Sequence, residues 1–167
     1  WSGPGGPFIR KIGKDLYGFD FAHVVRVDTD DNIWCVDEGS NMVIKFKPEG
    51  RVLMLLGRKW ELVEGRPEQP PAGTPPPPAR TNAFNRPTDV AWDAAGNIFV
   101  SDGYNNSRVV KLDKNGVWLK TWGERGAGQG QLNIPHTIAT DARGNVYVGD
   151  RTNRRIQVFD GDGAFVR

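Results

Sequence analysis

Residues Asn133 to Phe165 read NIPHTIATDARGNVYVGDRTNRRIQVFDGDGAF. Two short apolar runs, around Ile138 and around Val146 to Val148, are separated by an Asp-x-x-Gly-Asn turn. A third run, Ile156 to Phe159, ends in Gly161-Asp162-Gly163, and a fourth begins at Ala164. Gly and Asn tolerate the left-handed backbone that tight turns demand, and Asp hydrogen-bonds backbone amides just beyond itself. Short strands joined by such turns make a four-stranded antiparallel meander.

The same grammar occurs twice upstream. Val27-Asp28 to Asp37, Trp92-Asp93 to Asp102 and Thr140-Asp141 to Asp150 fall in register. In each, an Asn lies four residues after the first Asp (Asn32, Asn97, Asn145) and a second Asp five residues later (Asp37, Asp102, Asp150). The third strands align as Val43 to Phe46, Val109 to Leu112 and Ile156 to Phe159, with one extra residue after Asp102 in the middle copy. A four-stranded unit recurring at about 40 residues is the blade of a β-propeller, so the expected fold is all-β. The blades span residues 19–59, 86–123 and 134–167 of a single partial propeller domain, residues 1–167. Residues 1–13, ending GPFIRKIG, resemble the fourth strands and read as the outer strand of a neighbouring blade. Residues 60–84 hold the run PEQPPAGTPPPPAR, which cannot keep donating ladder hydrogen bonds and reads as a Pro-rich insertion. It is either a surface loop with polyproline II character or a PxxP ligand or lid.

Composition sets the class. Of 167 residues, 38% are hydrophobic and 25% charged, as in ordinary globular domains, and the net charge is only +2. So balanced a charge argues against a nucleic-acid or membrane partner. Among the apolar runs none reaches the roughly 18 residues of a transmembrane helix, and the single Cys35 rules out an intrachain disulfide. A chain opening on Trp1 reads as a processed or partial product. Propellers close with roughly four to eight blades, so three blades imply a longer parent or a homodimer completing a ring.

His23 lies five residues before Asp28 and His136 five before Asp141, so the only two histidines share one position in blades one and three. Blade two has Thr88 there. The first strand of a blade lines the channel, so both imidazoles should face the axis. In a six-bladed ring, alternate blades stand about 120° apart, and two such histidines call for a third. Three imidazoles and an open position make a catalytic zinc site; otherwise the pair are channel-lining hydrogen-bonders. Tyr104, in SDGYNNSR between the two His blades, is placed to act as acid, base or oxyanion donor, or is a rim tyrosine. The repeated Asp residues read as turn and strand-end carboxylates, with Arg108 and Arg155 as partners, and Trp34, Trp92, Trp118 and Trp122 as inter-blade packing.

RTNRRIQVFDGDGAF (Arg151 to Phe165) and RVVKLDKNG (Arg108 to Gly116) resemble NHL repeats, a propeller family often six-bladed. RPTDVAWD, VSDGYNNSRVVKLDKNG, IPHTIATD and GDRTNRRIQVFD together resemble the propeller of peptidyl-α-hydroxyglycine α-amidating lyases. That resemblance implies a zinc enzyme that cleaves a carbinolamide C–N bond, giving a peptide amide and glyoxylate. It implies His23 and His136 as zinc ligands, Tyr104 as the active-site tyrosine, and the Val25 carbonyl as a ligand of structural calcium. It also implies a secreted or periplasmic setting and a peptide or small-molecule substrate. The family's third His, its calcium carboxylate, its catalytic arginine and its disulfide cysteines have no counterpart in this chain, where Asn105 follows the tyrosine in place of a Cys. The alternative is a non-catalytic NHL module that binds a protein, peptide or glycan.

Overall fold

The computed structural model describes residues 8–60 and 79–167. Residues 1–7, and residues 61–78 of the Pro-rich insertion, lie outside the described residues. The rest form three antiparallel sheets. Blade one is β1 (Ala22–Val27), β2 (Ile33–Asp37), β3 (Met42–Phe46) and β4 (Val52–Gly57); blade two is β5 (Asp89–Trp92), β6 (Ile98–Asp102), β7 (Arg108–Leu112) and β8 (Trp118–Trp122). Blade three is β9 (Pro135–Thr140), β10 (Val146–Asp150) and β11 (Arg155–Phe159). Its outer edge carries Phe165 bridged to Phe159, with the Val166 amide donating to Val158 at 2.8 Å. Sheet order follows chain order, the all-β propeller arrangement expected of the repeats.

Each repeated Asp closes a turn. The Asp28 carboxylate accepts from the amides of Asp30 and Asn32 and from the Asn32 side chain. Asp93 does the same for Ala95 and Asn97, and Asp141 for Arg143 and Asn145. The residue before each Asn is left-handed: Gly96 and Gly144 at φ 83°, but Asp31 at φ 61°, a conformation that Asp tolerates better than most residues. The second Asp of each blade is fully buried and ties the incoming chain to its sheet. Asp37 takes the amides of Asp20, Phe21 and Ser40; Asp102 takes Asn85 N, Asn106 Nδ2 and Arg108 Nε; Asp150 takes Asn133 N, Asn153 Nδ2 and Arg155 Nε.

Side chains on both faces of β6 are buried, because blade two is sandwiched between its neighbours, whereas along β10 buried and half-buried residues alternate. Trp34, Val36, Val43, Leu56, Val90 and Val100 fill the space between blades one and two, where Trp34 and Trp92 stack at 5.4 Å. Such a pair contributes about 0.5–1.5 kcal/mol beyond its buried area. Phe99, Val109, Leu132, Val146 and Phe159 pack between blades two and three with Trp122 against them. One carboxylate spans all three blades. Asp89, 1% exposed on β5, receives Arg26 Nε and Nη2 from β1 at 3.0 and 2.7 Å and the Ile138 amide of β9 at 3.1 Å.

Three expectations change. Residues 8–13 form no strand, and no sheet of a preceding blade lies beside them among the described residues. Instead Ile12, followed by Leu16 and Phe19, covers the Cys35, Ile44 and Phe46 face of blade one. The inner strand of blade one starts at Ala22 rather than Phe19, since Asp37 holds the Asp20 and Phe21 amides. Phe84, assigned above to the insertion, is 2% exposed in the blade one–two core and packs on Trp118 at 5.2 Å.

Candidate active site

Both histidines sit at β-bulges. Along β1, Ala22 pairs with Asp37 and Val24 with Val36, leaving His23 as the extra residue. Along β9, Pro135 pairs with Asp150 and Thr137 with Gly149, leaving His136. A bulge breaks strict alternation and re-aims the side chain it carries. Here the two rings come together, with centroids 5.1 Å apart.

Blade two supplies the group between them. In blade one the Glu38 amide donates to the Phe21 carbonyl, and in blade three the Arg151 amide donates to the Ile134 carbonyl. Both residues directly follow the buried Asp of their blade. In blade two the Tyr104 amide makes the matching bond, to Arg86 O, because Gly103 is the inserted residue. A Cβ on Gly103 would collide with the Pro135 carbonyl oxygen, so the insertion has to be glycine for the loop to pass so close to β9. Tyr104 Oη thereby lies 3.3 Å from His23 Nε2 and 3.0 Å from His136 Nε2.

Thr88, at the histidine position of blade two, orients its neighbours. Its carbonyl lies 2.9 Å from His23 Nδ1. A carbonyl can only accept, so Nδ1 carries the hydrogen and, in the neutral ring, Nε2 presents its lone pair toward Tyr104. Its buried hydroxyl reaches the carbonyls of Ser101 and Pro135 at 2.9 and 2.7 Å. Burial, then the neighbouring His23 and Arg151, push His136 below the ordinary imidazole range against the opposing pull of Asp89 and Glu38. A ring held neutral is a hydrogen-bond acceptor or a metal ligand.

Two residues missed in the sequence complete the surroundings. Glu38, its side chain 3% exposed, has Oε2 3.8 Å from His23 Nε2. Its Oε1 accepts from Arg86 Nη2, and the Arg86 guanidinium carbon stands 5.1 Å above the Tyr104 ring. The register equivalence of Glu38, Tyr104 and Arg151 was a usable signal, once Gly103 is recognised as the insertion. Asn105 Nδ2, where the resemblance leads one to expect a cysteine, donates to Asn85 Oδ1 at 2.8 Å and ties the Tyr104 loop to the chain entering blade two.

The two Nε2 atoms suit zinc as far as they go, being convergent, with His23 oriented by the Thr88 carbonyl and His136 held neutral. No group of three His, Cys, Asp or Glu arranged to hold a metal occurs among the described residues. Val25 lies elsewhere on β1. The Asp28 amide bonds to Asn32 O, so by antiparallel alternation Val25 and Cys35 are a non-hydrogen-bonded pair and the Val25 carbonyl faces away from β2. Its neighbour Arg26 brings a guanidinium rather than a carboxylate. Calcium wants six to eight oxygens, roughly, so this carbonyl would need donors beyond those the described residues group around it.

Comparison with known proteins adds an independent line. The NHL repeat pattern matches residues 84–112 and 132–159. Mouse peptidyl-glycine alpha-amidating monooxygenase is 35% identical over 168 aligned residues, covering 95% of this chain and 15% of its own length. Peptidyl-alpha-hydroxyglycine alpha-amidating lyase 1 of Drosophila melanogaster is 31% identical over 115 residues, 67% of this chain and 18% of that protein. The chain thus spans under a fifth of these relatives. Among solved structures, a streptogramin B lyase superposes with a TM-score of 0.59 at 14% identity, over 87% of this chain and 39% of that one, which speaks to the fold alone. Repeats, propeller sheets and aligned relatives agree: the chain carries NHL repeats in a β-propeller fold and resembles the peptidyl-α-hydroxyglycine α-amidating lyase family.

Proposed function

We propose that this chain carries part of the active site of a carbinolamide C–N lyase acting on peptides that end in α-hydroxyglycine. The observation that carries the reading is the convergence of His23 Nε2, His136 Nε2 and Tyr104 Oη from three blades on one point, where the Nε2 lone pairs now facing the hydroxyl could turn to a metal instead. His23 and His136 would hold zinc, which when bound supplies a Lewis acid for the substrate's hydroxyl oxygen. The Thr88 carbonyl fixes the tautomer and orientation of His23, and burial keeps His136 neutral. Tyr104 Oη takes the proton of the substrate hydroxyl and gives its own to the departing nitrogen. The C–N bond breaks as the hydroxyl oxygen becomes a carbonyl, so a peptide amide and glyoxylate result with no net proton change.

Zinc affinity, measured against a competing chelator, tests the ligand assignment. His136→Ala should bind zinc at least about tenfold more weakly than wild type, since each imidazole is a direct ligand; equal affinity would sink the assignment. Tyr104→Phe should keep zinc binding and lower glyoxylate release from a peptidyl-α-hydroxyglycine by about 10²–10⁴-fold, the range for loss of a general acid or base.

A further inference from the structure

Arg86 departs from the repeated frame where the frame leaves a choice. Its backbone is left-handed at φ 60°, and so is that of Ile134, its counterpart two residues before His136. Both precede a proline and both lend their carbonyl to the loop across the blade. The backbone role is therefore met equally by arginine or isoleucine, and it does not account for the guanidinium.

That guanidinium is held from two sides. Buried Glu38 takes one Nη2 hydrogen, and the Tyr104 ring lies beneath the charge. The Arg86 side chain nevertheless remains 49% exposed. Among the described residues, Nε and Nη1 have no hydrogen-bond partner. The result is a fixed cation with open donors, one aromatic ring away from the Tyr104 hydroxyl and the two imidazoles. Planar N–H pairs in such a fork match a carboxylate.

We infer that Arg86 is the carboxylate anchor of this site: its open donors take the terminal carboxylate of the substrate, while Glu38 and Tyr104 hold the guanidinium in position. This rests on the lyase reading, because α-hydroxyglycine bears that carboxylate on the carbon whose C–N bond breaks. A guanidinium gripping it would orient the reacting carbon toward Tyr104 Oη and would discriminate against carbinolamides or peptides whose end is neutral.

The test is a titration of the full chain with N-acetyl-phenylalanylglycine and with the same dipeptide ending in a carboxamide, followed by tryptophan fluorescence or calorimetry. Wild type should prefer the acid by at least about tenfold, the scale of one charge-assisted pair. Arg86→Gln should erase the preference, bringing affinity for the acid down to that for the carboxamide, and Arg86→Lys should retain part of it. Because Arg86→Gln leaves Glu38 buried without its cation, the double variant Arg86→Gln/Glu38→Gln is measured alongside and should behave as the single variant does. A preference that persists in both variants, or wild type binding both peptides equally, overturns the anchor and leaves the lyase reading standing. Wild type that binds neither peptide overturns the lyase reading, and the anchor falls with it.

Discussion

Blades two and three share a frame and differ at the axis. Asp102 and Asp150 are both fully buried, and each receives the Nε of an arginine, Arg108 or Arg155, at 2.9 Å. Asp93 and Asp141 close the same turn. At the inner strand, however, blade three turns His136 toward the axis, whereas blade two has Thr88 at that position, its amide on the Ser101 carbonyl. Blade two instead inserts Gly103, which pushes Tyr104 into the slot that Arg151 fills in blade three. What recurs makes the sheet; what differs makes the site.

The largest effect should come from the frame. Asp102→Ala leaves Arg108, whose side chain is 6% exposed, with one carbonyl partner at Ala83, whereas Asp150→Ala leaves Arg155, which is 31% exposed, with carbonyl partners at Ala127, Gly128 and Gln131. Breaking a buried pair costs about 3–5 kcal/mol, so Asp102→Ala should approach that in urea unfolding and Asp150→Ala should cost less. Equal losses would mean that exposure of the arginine does not separate the two blades.

A smaller effect is expected at the insertion. Gly103→Ala places a methyl against the Pro135 carbonyl, and overpacking of this kind costs about 1–3 kcal/mol. It should also weaken zinc binding or glyoxylate release, since the Tyr104 loop must move, whereas Gly96→Ala, remote from both histidines, should lose stability alone.

The smallest concerns acid. Burial pushes the Asp28 carboxyl up, but hydrogen bonds from Trp34 Nε1, Asn32 and Lys45 outweigh it and hold the group at about 2. The Asn145 side chain, with help from the Asn145 and Arg143 amides and Tyr147, holds Asp141 at about 2 as well. A carboxyl depressed in the folded state contributes stability that is full above its unfolded value, near 4, and lost as pH falls through 2. Melting temperature should therefore drop between about pH 4 and 2, and Asp28→Asn should flatten that drop. Unchanged steepness would assign the acid limb to other carboxylates.

The repeats were legible because turns and strand alternation are local. Asp28, Asp93 and Asp141 announce their turns through Asn residues four positions on, and the shared offset of His23 and His136 was enough to bring them together. The bulges were not legible: an extra residue is defined only against the partner strand, and nothing in PHT or AHV marks it. Glu38 and Arg86 were missed because their meeting joins positions far apart in the chain, and because the residue type at each repeated position changes from blade to blade. Residues 8–13 had the composition of an outer strand, yet a strand exists only where another offers its edge. Zinc was expected from the shared histidine offset as well as from the resemblance, and calcium from the resemblance alone; the two imidazoles meet, while no group of three His, Cys, Asp or Glu arranged for a metal occurs among the described residues.

The clasp at Asp89 bears on the order of assembly. Every blade is a meander whose contacts close within a few tens of residues, so each can form early and by itself. The Arg26–Asp89–Ile138 junction cannot, because it needs all three blades docked in correct register. Interactions made that late slow unfolding while leaving the folding rate nearly untouched. Asp89→Ala is therefore expected to speed unfolding more than it slows folding, so that a single carboxylate would set how long the paired histidines stay together.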